Sequence, residues 1–184
     1  LEQLSKSGIV ATNRNSANSM NSTNPKNSTQ LNEPASKRLP LEGIVVADMT
    51  RVLIGPLLGK YLADFGATVI RVESRLALDQ HRVTVPYKGE PNLNRSGIFP
   101  LLNSSKLSLG LNLSDPKGVD VARRLIARCD VVLENFVPGV MEKWGLGYEE
   151  LEKIRPGIVM FRHSIQGQSG PYARHPGFGW NVIL

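Results

Sequence analysis

The chain has 184 residues, of which 41% are hydrophobic, and its formal net charge at pH 7 is +6. No apolar run approaches the roughly 20 residues that a membrane-spanning helix needs, so we expect no membrane partner. Half of the excess charge lies in the first 40 residues, and the remainder shows no basic cluster interleaved with aromatic residues. Nucleic acid is therefore not an expected partner. The single cysteine, Cys129, allows no disulfide within the chain, which favours a reducing location, the cytoplasm or, in a eukaryote, the mitochondrion.

Residues 1–40 are rich in Asn, Ser and Thr and contain few large apolar side chains. They show neither a helical nor a strand period, and such a segment cannot bury enough apolar surface to offset the entropy of ordering it. We therefore expect a disordered tail at 1–40 and a folded part at 41–184.

The stretch from residue 41 to 73 predicts a strand, a loop, a helix and a second strand. An apolar run ends at Asp48, the dipeptide Gly55-Pro56 opens the helix, and Gly66 ends it. The apolar residues of this helix at helical spacing are Leu57, Leu58, Tyr61, Leu62 and Phe65. A helix start at the carboxyl end of a strand offers free N–H groups to a ligand. A nucleotide-like ligand and an ordinary turn are equally open interpretations of this loop.

Further along, the pattern predicts three more strands and three more helices, separated by loops. The strands are expected at 107–113, 130–134 and 158–161, and the helices after Ser114-Asp115-Pro116, around Met141 and Trp144, and at 148–154. Residues 74–98 form a long basic loop, and Phe99–Leu102 is an apolar run before a turn at 103–106. The alternation predicts an α/β fold, a Rossmann-like parallel sheet with helices on both faces.

Several common catalytic motifs are absent from the sequence. There is no Gly-x-Gly-x-x-Gly after the first strand, no Walker lysine and no Gly-x-Ser-x-Gly elbow. The three histidines lack metal-ligand spacing, so we expect no metal. Three loops at strand carboxyl ends, 51–56, 135–139 and 164–179, are expected to converge on a binding cleft.

Four segments in order carry a resemblance to a known family. They are LEGIVVADMTRVLIGPLLGKYLADFGATVIRVE, NSSKLSLGLNLSDPKG, CDVVLENFVPGVMEKWGLGYEEL and GQSGPYARHPGFG. Together they resemble the family III CoA-transferases, which move CoA between an acyl-CoA thioester and a free carboxylic acid. The resemblance implies the N-terminal part of that family's large, CoA-binding domain, with acyl-CoA and a carboxylic acid as substrates. It also implies a homodimer of two interlocked chains.

The resemblance places the contacts to CoA in the predicted loops. These positions are Leu53 and Ile54, then Leu111, Asn112, Leu113 and Ser114, then Asn135, Phe136 and Val137, then Lys143, and finally Pro176, Gly177, Phe178 and Gly179. A basic residue common after the second strand is Ser74 here, and Arg75, one position on, is taken as the phosphate partner instead.

The sequence departs from the family pattern at the positions that carry the catalytic chemistry. Residues 177–179 read Gly-Phe-Gly where the racemases of this fold have Gly-His-Asp, which argues against a racemase and resembles the branch acting on aromatic or benzylsuccinate-type acids. The family's catalytic aspartate lies in a Gly-Asp motif beyond this loop, and no aspartate here occupies that position. We therefore expect a fragment that binds CoA without turnover and assign no catalytic residue. A non-catalytic CoA-binding module, a racemase and a piece that does not fold alone stay as alternatives.

Overall fold

A computed structural model describes residues 38–175 and residue 177. Most of the expected tail, residues 1–37, lies outside this part of the chain. The strands are β1 (Val45–Asp48), β2 (Thr68–Glu73), β3 (Leu107–Gly110), β4 (Val131–Glu134) and β5 (Val159–Arg162). The helices are α1 (Ile54–Asp64), α2 (Ile98–Asn103), α3 (Pro116–Ile126), α4 (Val140–Lys143) and α5 (Tyr148–Ile154), with a 3-10 helix at Gln80–Val83.

The five strands pair in parallel in the order β3-β2-β1-β4-β5. The chain adds β2 and β3 on one side of β1 and then returns to place β4 and β5 on the other side. The direction in which strands are added therefore reverses between β1 and β4. After these two strands the chain continues to opposite faces of the sheet, which leaves a crevice at their carboxyl ends. The predicted Rossmann-like parallel sheet is confirmed, and its topology locates the crevice where such sheets bind ligands.

Helices cover both faces of the sheet, as predicted. On one face, Val46, Val69 and Leu133 pack with Ala63 of α1. On the other face, a larger core joins the sheet to α3, α4 and α5 and contains Ala47, Ala122, Ile126, Cys129, Val132 and Leu151. Because parallel strands in the middle of such a sheet are buried on both faces, β1 and β4 consist almost entirely of apolar residues.

A buried ion pair lies between the sheet and α1. The Lys106 ammonium donates to the Asp48 carboxylate at 2.8 Å and to the carbonyl of Pro56 at 2.7 Å, and both side chains are almost wholly inaccessible. Burial lowers the pKa of Lys106, and the neighbouring Asp48 carboxylate opposes that change. A Cβ at Gly59 would lie 2.6 Å from Asp48 Oδ2, so glycine is required where α1 crosses this pair.

The apolar residues at helical spacing in α1 are only partly buried, with Leu58 and Leu62 packed against the core. Tyr61 and Phe65 are 53% and 54% exposed, although both lie on the apolar stripe of the helix. The buried positions are the small residues Gly55, Pro56, Gly59 and Ala63, because α1 lies close to the sheet and to Asp48. Gly66 ends the helix with φ +106, as its position after the last apolar residue predicted.

Two other predicted elements have different bounds in the structure. The apolar run Phe99–Leu102 belongs to a helix, α2, which includes Asn103 of the expected turn. The strand predicted at 107–113 ends at Gly110, because the Asn112 side chain accepts from the Ser114 N–H at 3.1 Å and turns the chain away. In addition, Val121 is partly exposed and lies off the buried face of α3.

Candidate functional site

The loops after β1 and β4 are joined directly at the point where the strand order reverses. The Arg51 N–H donates to Asn135 Oδ1 at 2.8 Å, and Asn135 Nδ2 donates to the Arg51 carbonyl at 2.7 Å. In the next position, the Phe136 N–H donates to the buried Glu134 carboxylate at 2.7 Å. These bonds fix the two loops relative to each other and direct residue 136 into the crevice.

A second set of contacts holds the β1 loop from the side of β2. Arg71 is 2% exposed and donates to the Thr50 carbonyl at 3.1 Å and to Asp79 Oδ2 at 2.5 Å. Asp79 in turn accepts from the Val52 N–H at 3.0 Å. Val52 has φ +68, a left-handed conformation that is costly for a β-branched residue and persists only where the surroundings impose it. The Arg71–Asp79 pair therefore maintains a strained loop.

Glu73, at the end of β2, lies beside this pair. Its carboxylate accepts from Arg82 Nε at 2.7 Å and Arg82 Nη2 at 2.8 Å, and from the Asp79 N–H at 3.1 Å. Burial raises the pKa of Glu73, but these hydrogen bonds and the charges of Arg82 and Arg71 outweigh it, so the pKa lies below its usual value. The Arg82 guanidinium also lies 3.7 Å from the centre of the Phe99 ring.

A cavity of about 230 Å³, here called the inner cavity, opens beside β1, β2 and the segment after β3. It is lined by Met49, Arg51, Arg71, Val72, Glu73, Ser74, Leu76, Ala77, Leu111, Asn112, Leu113, Ser114, Phe136 and Trp144. The Nε atom of Arg71 is buried and has no hydrogen-bond partner within the described part of the chain. The walls are largely apolar, with cationic and anionic groups placed around them.

A second depression of about 610 Å³, here called the outer groove, runs between α3 and α4. It is lined by Leu113, Ser114, Pro116, Val119, Asp120, Arg123, Lys143 and Trp144. Leu113, Ser114 and Trp144 line both spaces, so the inner cavity and the outer groove are neighbouring parts of one surface. The Trp144 ring is fixed by edge-to-face packing on Phe136, with ring centres 5.3 Å apart.

Comparison with known proteins decides the family. The sequence model described as CoA-transferase family III matches residues 41–183. The chain belongs to this family. It is 42% identical over 146 residues to succinyl-CoA--D-citramalate CoA-transferase of Chloroflexus aurantiacus, covering 76% of this chain and 34% of that protein. It is 41% identical over 140 residues to succinyl-CoA:glutarate CoA-transferase of Homo sapiens, covering 76% of this chain and 31% of that protein.

The structural comparison agrees with the family III assignment. A CAIB/BAIF family protein from Brucella suis superposes with a TM-score of 0.71 at 36% identity, over 78% of this chain and 38% of that one. The chain thus spans about a third of the length of the curated relatives it matches.

The structure brings part of the residue set implied by the family III resemblance together. Leu111, Asn112, Leu113, Ser114 and Phe136 line the inner cavity, and Lys143 lines the outer groove with Leu113 and Ser114. Six other positions line neither space: Leu53, Ile54, Arg75, Asn135, Val137 and Gly177. Of these, Leu53 and Ile54 are about half exposed at the start of α1, and Asn135 acts through its bonds to Arg51. Pro176, Phe178 and Gly179 lie outside the described residues.

Several lining residues were not predicted. Arg71, Glu73, Arg123 and Trp144 border the two spaces, as does Arg51, which lies in the predicted loop 51–56. A signal existed for Arg71, which interrupts the apolar run of β2, since a charge inside a buried strand needs a partner. Arg123 gave no such signal, because it stands among other basic residues of α3 that the sequence indicates as exposed.

Two further observations concern the described residues alone. Between residues 38 and 175, no helix combines the length and the apolar character needed to cross a bilayer. In the same part of the chain, no group of three or more His, Cys, Asp or Glu side chains is arranged to hold a metal ion.

Proposed function

We propose that this chain binds the CoA part of an acyl-CoA in the inner cavity and outer groove. It would do so as part of the CoA-binding large domain, residues 41–184, of an enzyme that moves CoA between an acyl-CoA thioester and a carboxylic acid. The observation that carries the proposal is the pair of neighbouring spaces, with Leu113, Ser114 and Trp144 in the walls of both, beside the switch point of a family III CoA-transferase fold. Ligands of open α/β sheets bind at such points.

The chemistry of the walls suits the two ends of CoA. The inner cavity offers apolar contacts from Met49, Leu111 and Phe136 to a flat, uncharged group such as adenine. The outer groove offers the ammonium of Lys143 and the guanidinium of Arg123 to phosphate. The shared wall at Trp144 would let one extended molecule occupy both spaces.

The buried carboxylates of the described residues near the crevice are already committed to other contacts, and the exposed Asp120 of the outer groove does not occupy the position that the family resemblance gives to the catalytic aspartate. Asp48 pairs with Lys106, Asp79 with Arg71, and Glu134 with Arg162, and each of the three carboxylates is at most 1% exposed. A carboxylate that attacks a thioester must reach it and must be free to form an acyl bond. We therefore assign no nucleophile in the described part and propose that this chain alone does not turn over acyl-CoA.

The remaining parts of the proposal concern the whole enzyme. Relatives whose names specify succinyl-CoA make succinyl-CoA the first donor to test, with glutarate or citramalate as acceptor. An interlocked homodimer is proposed for the enzyme on the strength of the family resemblance. We also propose a cytoplasmic location, because Cys129 is a free thiol and forms no disulfide within the described residues.

Calorimetric titration with CoA tests the binding, and transfer of labelled CoA from succinyl-CoA to glutarate tests turnover. We expect saturable one-site CoA binding and no transfer by this chain. Transfer at a rate above the uncatalysed reaction would contradict the proposed inactivity. A cooperatively melting chain that shows no heat with CoA would contradict the binding itself.

A further inference from the structure

Arg123 lies on the face of α3 that borders the outer groove. Pro116, Val119, Asp120 and Arg123 follow one another at helical spacing along this wall. The Arg123 Nη2 atom donates to the Gly145 carbonyl at 2.9 Å, which fixes the guanidinium against the turn between α4 and α5. The side chain is half-buried and its head is held in one place.

The hydrogen bonding of Arg123 is incomplete. Its Nε atom is buried and has no hydrogen-bond partner within the described residues. A buried donor without an acceptor costs free energy, and the cost is removed when a ligand supplies the acceptor. The bond to Gly145 is the one hydrogen bond that the Arg123 side chain makes within the described residues, so its remaining N–H groups are held in place and can donate to an oxygen-rich anion.

No carboxylate of the described residues forms a salt bridge with Arg123. Glu150 of α5 accepts a hydrogen bond from Lys153 at 2.7 Å, which lowers its pKa, and the charge of Arg123 helps to lower it. Lys143 lines the same groove from α4, and the single acid among the lining residues is the exposed Asp120. Two cations against one solvent-screened carboxylate leave the groove positively charged and suited to a phosphate ester or diphosphate.

We infer that Arg123, together with Lys143, binds a phosphate group of CoA in the outer groove and so determines the preference for CoA over its phosphate-free pantetheine arm. The inference rests on the proposed CoA-binding function and adds a contact that the family resemblance does not supply. Arg123 acts by touching the ligand, and its bond to Gly145 orients it for that contact.

The test is a titration of the full chain with CoA, dephospho-CoA and pantetheine. The variants are Arg123→Gln and Arg123→Lys, with Arg124→Gln as the matched control, since Arg124 is exposed on the same helix and lines neither space. We expect Arg123→Gln to weaken CoA binding about 10- to 100-fold, the loss of a charge-assisted hydrogen bond. Pantetheine binding should stay unchanged, Arg123→Lys should recover part of the loss, and Arg124→Gln should bind as the parent chain does.

Dephospho-CoA identifies which phosphate is held. If the penalty of Arg123→Gln disappears with this ligand, Arg123 holds the 3′-phosphate. If the penalty persists, Arg123 holds the diphosphate. Either result supports the inference.

Two results would overturn it. One is a parent chain that binds CoA and an Arg123→Gln variant that binds it equally well. The other is an equal loss of CoA and pantetheine affinity in that variant, which would show that Arg123 only supports the turn at Gly145. Both leave the proposed function standing, whereas a parent chain that binds no CoA overturns the function together with the inference.

Discussion

Asn135 and Arg51 exchange two hydrogen bonds, one in each direction, across the point where the sheet reverses its strand order. The donor–acceptor distances are 2.8 Å and 2.7 Å. A single side chain thus satisfies both backbone groups of a residue in another loop, and it needs an amide to do so because only an amide both donates and accepts in this geometry.

Replacing Asn135 by alanine should therefore destabilise the fold and the crevice together. The variant leaves the N–H and carbonyl of Arg51 without partners, at a cost of about 1–3 kcal/mol for each group that stays buried. Urea denaturation measures the loss, and CoA affinity should fall because residue 136 is no longer held. Asn92→Ala, at an exposed loop position, is the control and should leave CoA affinity unchanged. An Asn135→Ala variant as stable as the parent would contradict the coupling.

Gly118 of α3 allows a test of how closely this helix packs against the segment 111–114 in the cavity wall. A Cβ at this position would lie 1.9 Å from the Asn112 carbonyl oxygen, so alanine must push the segment 111–114 away from α3. We expect Gly118→Ala to cost about 1–3 kcal/mol of stability from overpacking and to weaken CoA binding at least tenfold. Gly110→Ala is the matched control, because nothing lies within 4 Å of its Cβ position. Thermal melting and calorimetry on both variants decide the matter, and equal behaviour of the two would refute the expected contact.

Removing one partner of the buried Lys106–Asp48 pair should destabilise the fold more than neutralising both partners. Lys106→Met leaves the Asp48 carboxylate buried without its cation, and breaking a buried pair in this way costs about 3–5 kcal/mol. Adding Asp48→Asn removes the unpaired charge, so the double variant should be more stable than Lys106→Met alone. The exposed Lys88→Met serves as the control. Chemical denaturation of all four chains tests this, and a double variant less stable than Lys106→Met would contradict it.

Glu73 should make stability depend on pH in acid. Its pKa is lowered in the folded chain from an ordinary value of 4.5. The unfolded chain therefore binds the proton first, so the stabilisation is complete above pH 4.5 and is lost as the pH falls through the lower folded value.

The variant Glu73→Gln keeps the shape of the side chain and removes its charge. We expect it to be less stable than the parent at neutral pH, with a difference that shrinks steadily in acid. Denaturation curves collected from pH 7 to pH 3 measure the effect. A difference that stays constant over this range would show that ionisation of Glu73 contributes nothing.

The sequence predicted the sheet well because its strands are short apolar runs closed by glycine, proline and helix caps. Asp115 caps α3 and Gly66 ends α1 as their positions indicated. The sequence predicted the segment 111–114 at the site only through the family resemblance, whereas Phe136 also lies in the loop 135–139 that the strand pattern placed at the cleft. Arg71 of β2 and Asp79 of the following loop form a pair eight positions apart, and no local periodicity indicates such a contact. The apolar stripe of α1 is buried only in part for a related reason: Leu58 and Leu62 pack against the core, but the side of the helix nearest the sheet lies against a buried ion pair and carries small residues.

The backbone of residues 49–52 has a consequence for motion in the crevice. Four successive N–H groups donate, in chain order, to the Leu133 carbonyl, the Asp48 carboxylate, the Asn135 side chain and the Asp79 carboxylate. The four acceptors lie on β4, at the end of β1, in the loop after β4 and in the loop after β2. Hydrogen exchange at all four amides therefore requires several elements to separate at once. This loop should exchange as slowly as the central strands, unlike most connecting loops. The floor of the crevice would then be fully formed before any ligand arrives, and ligand binding would slow exchange mainly in α4 and in residues 111–114.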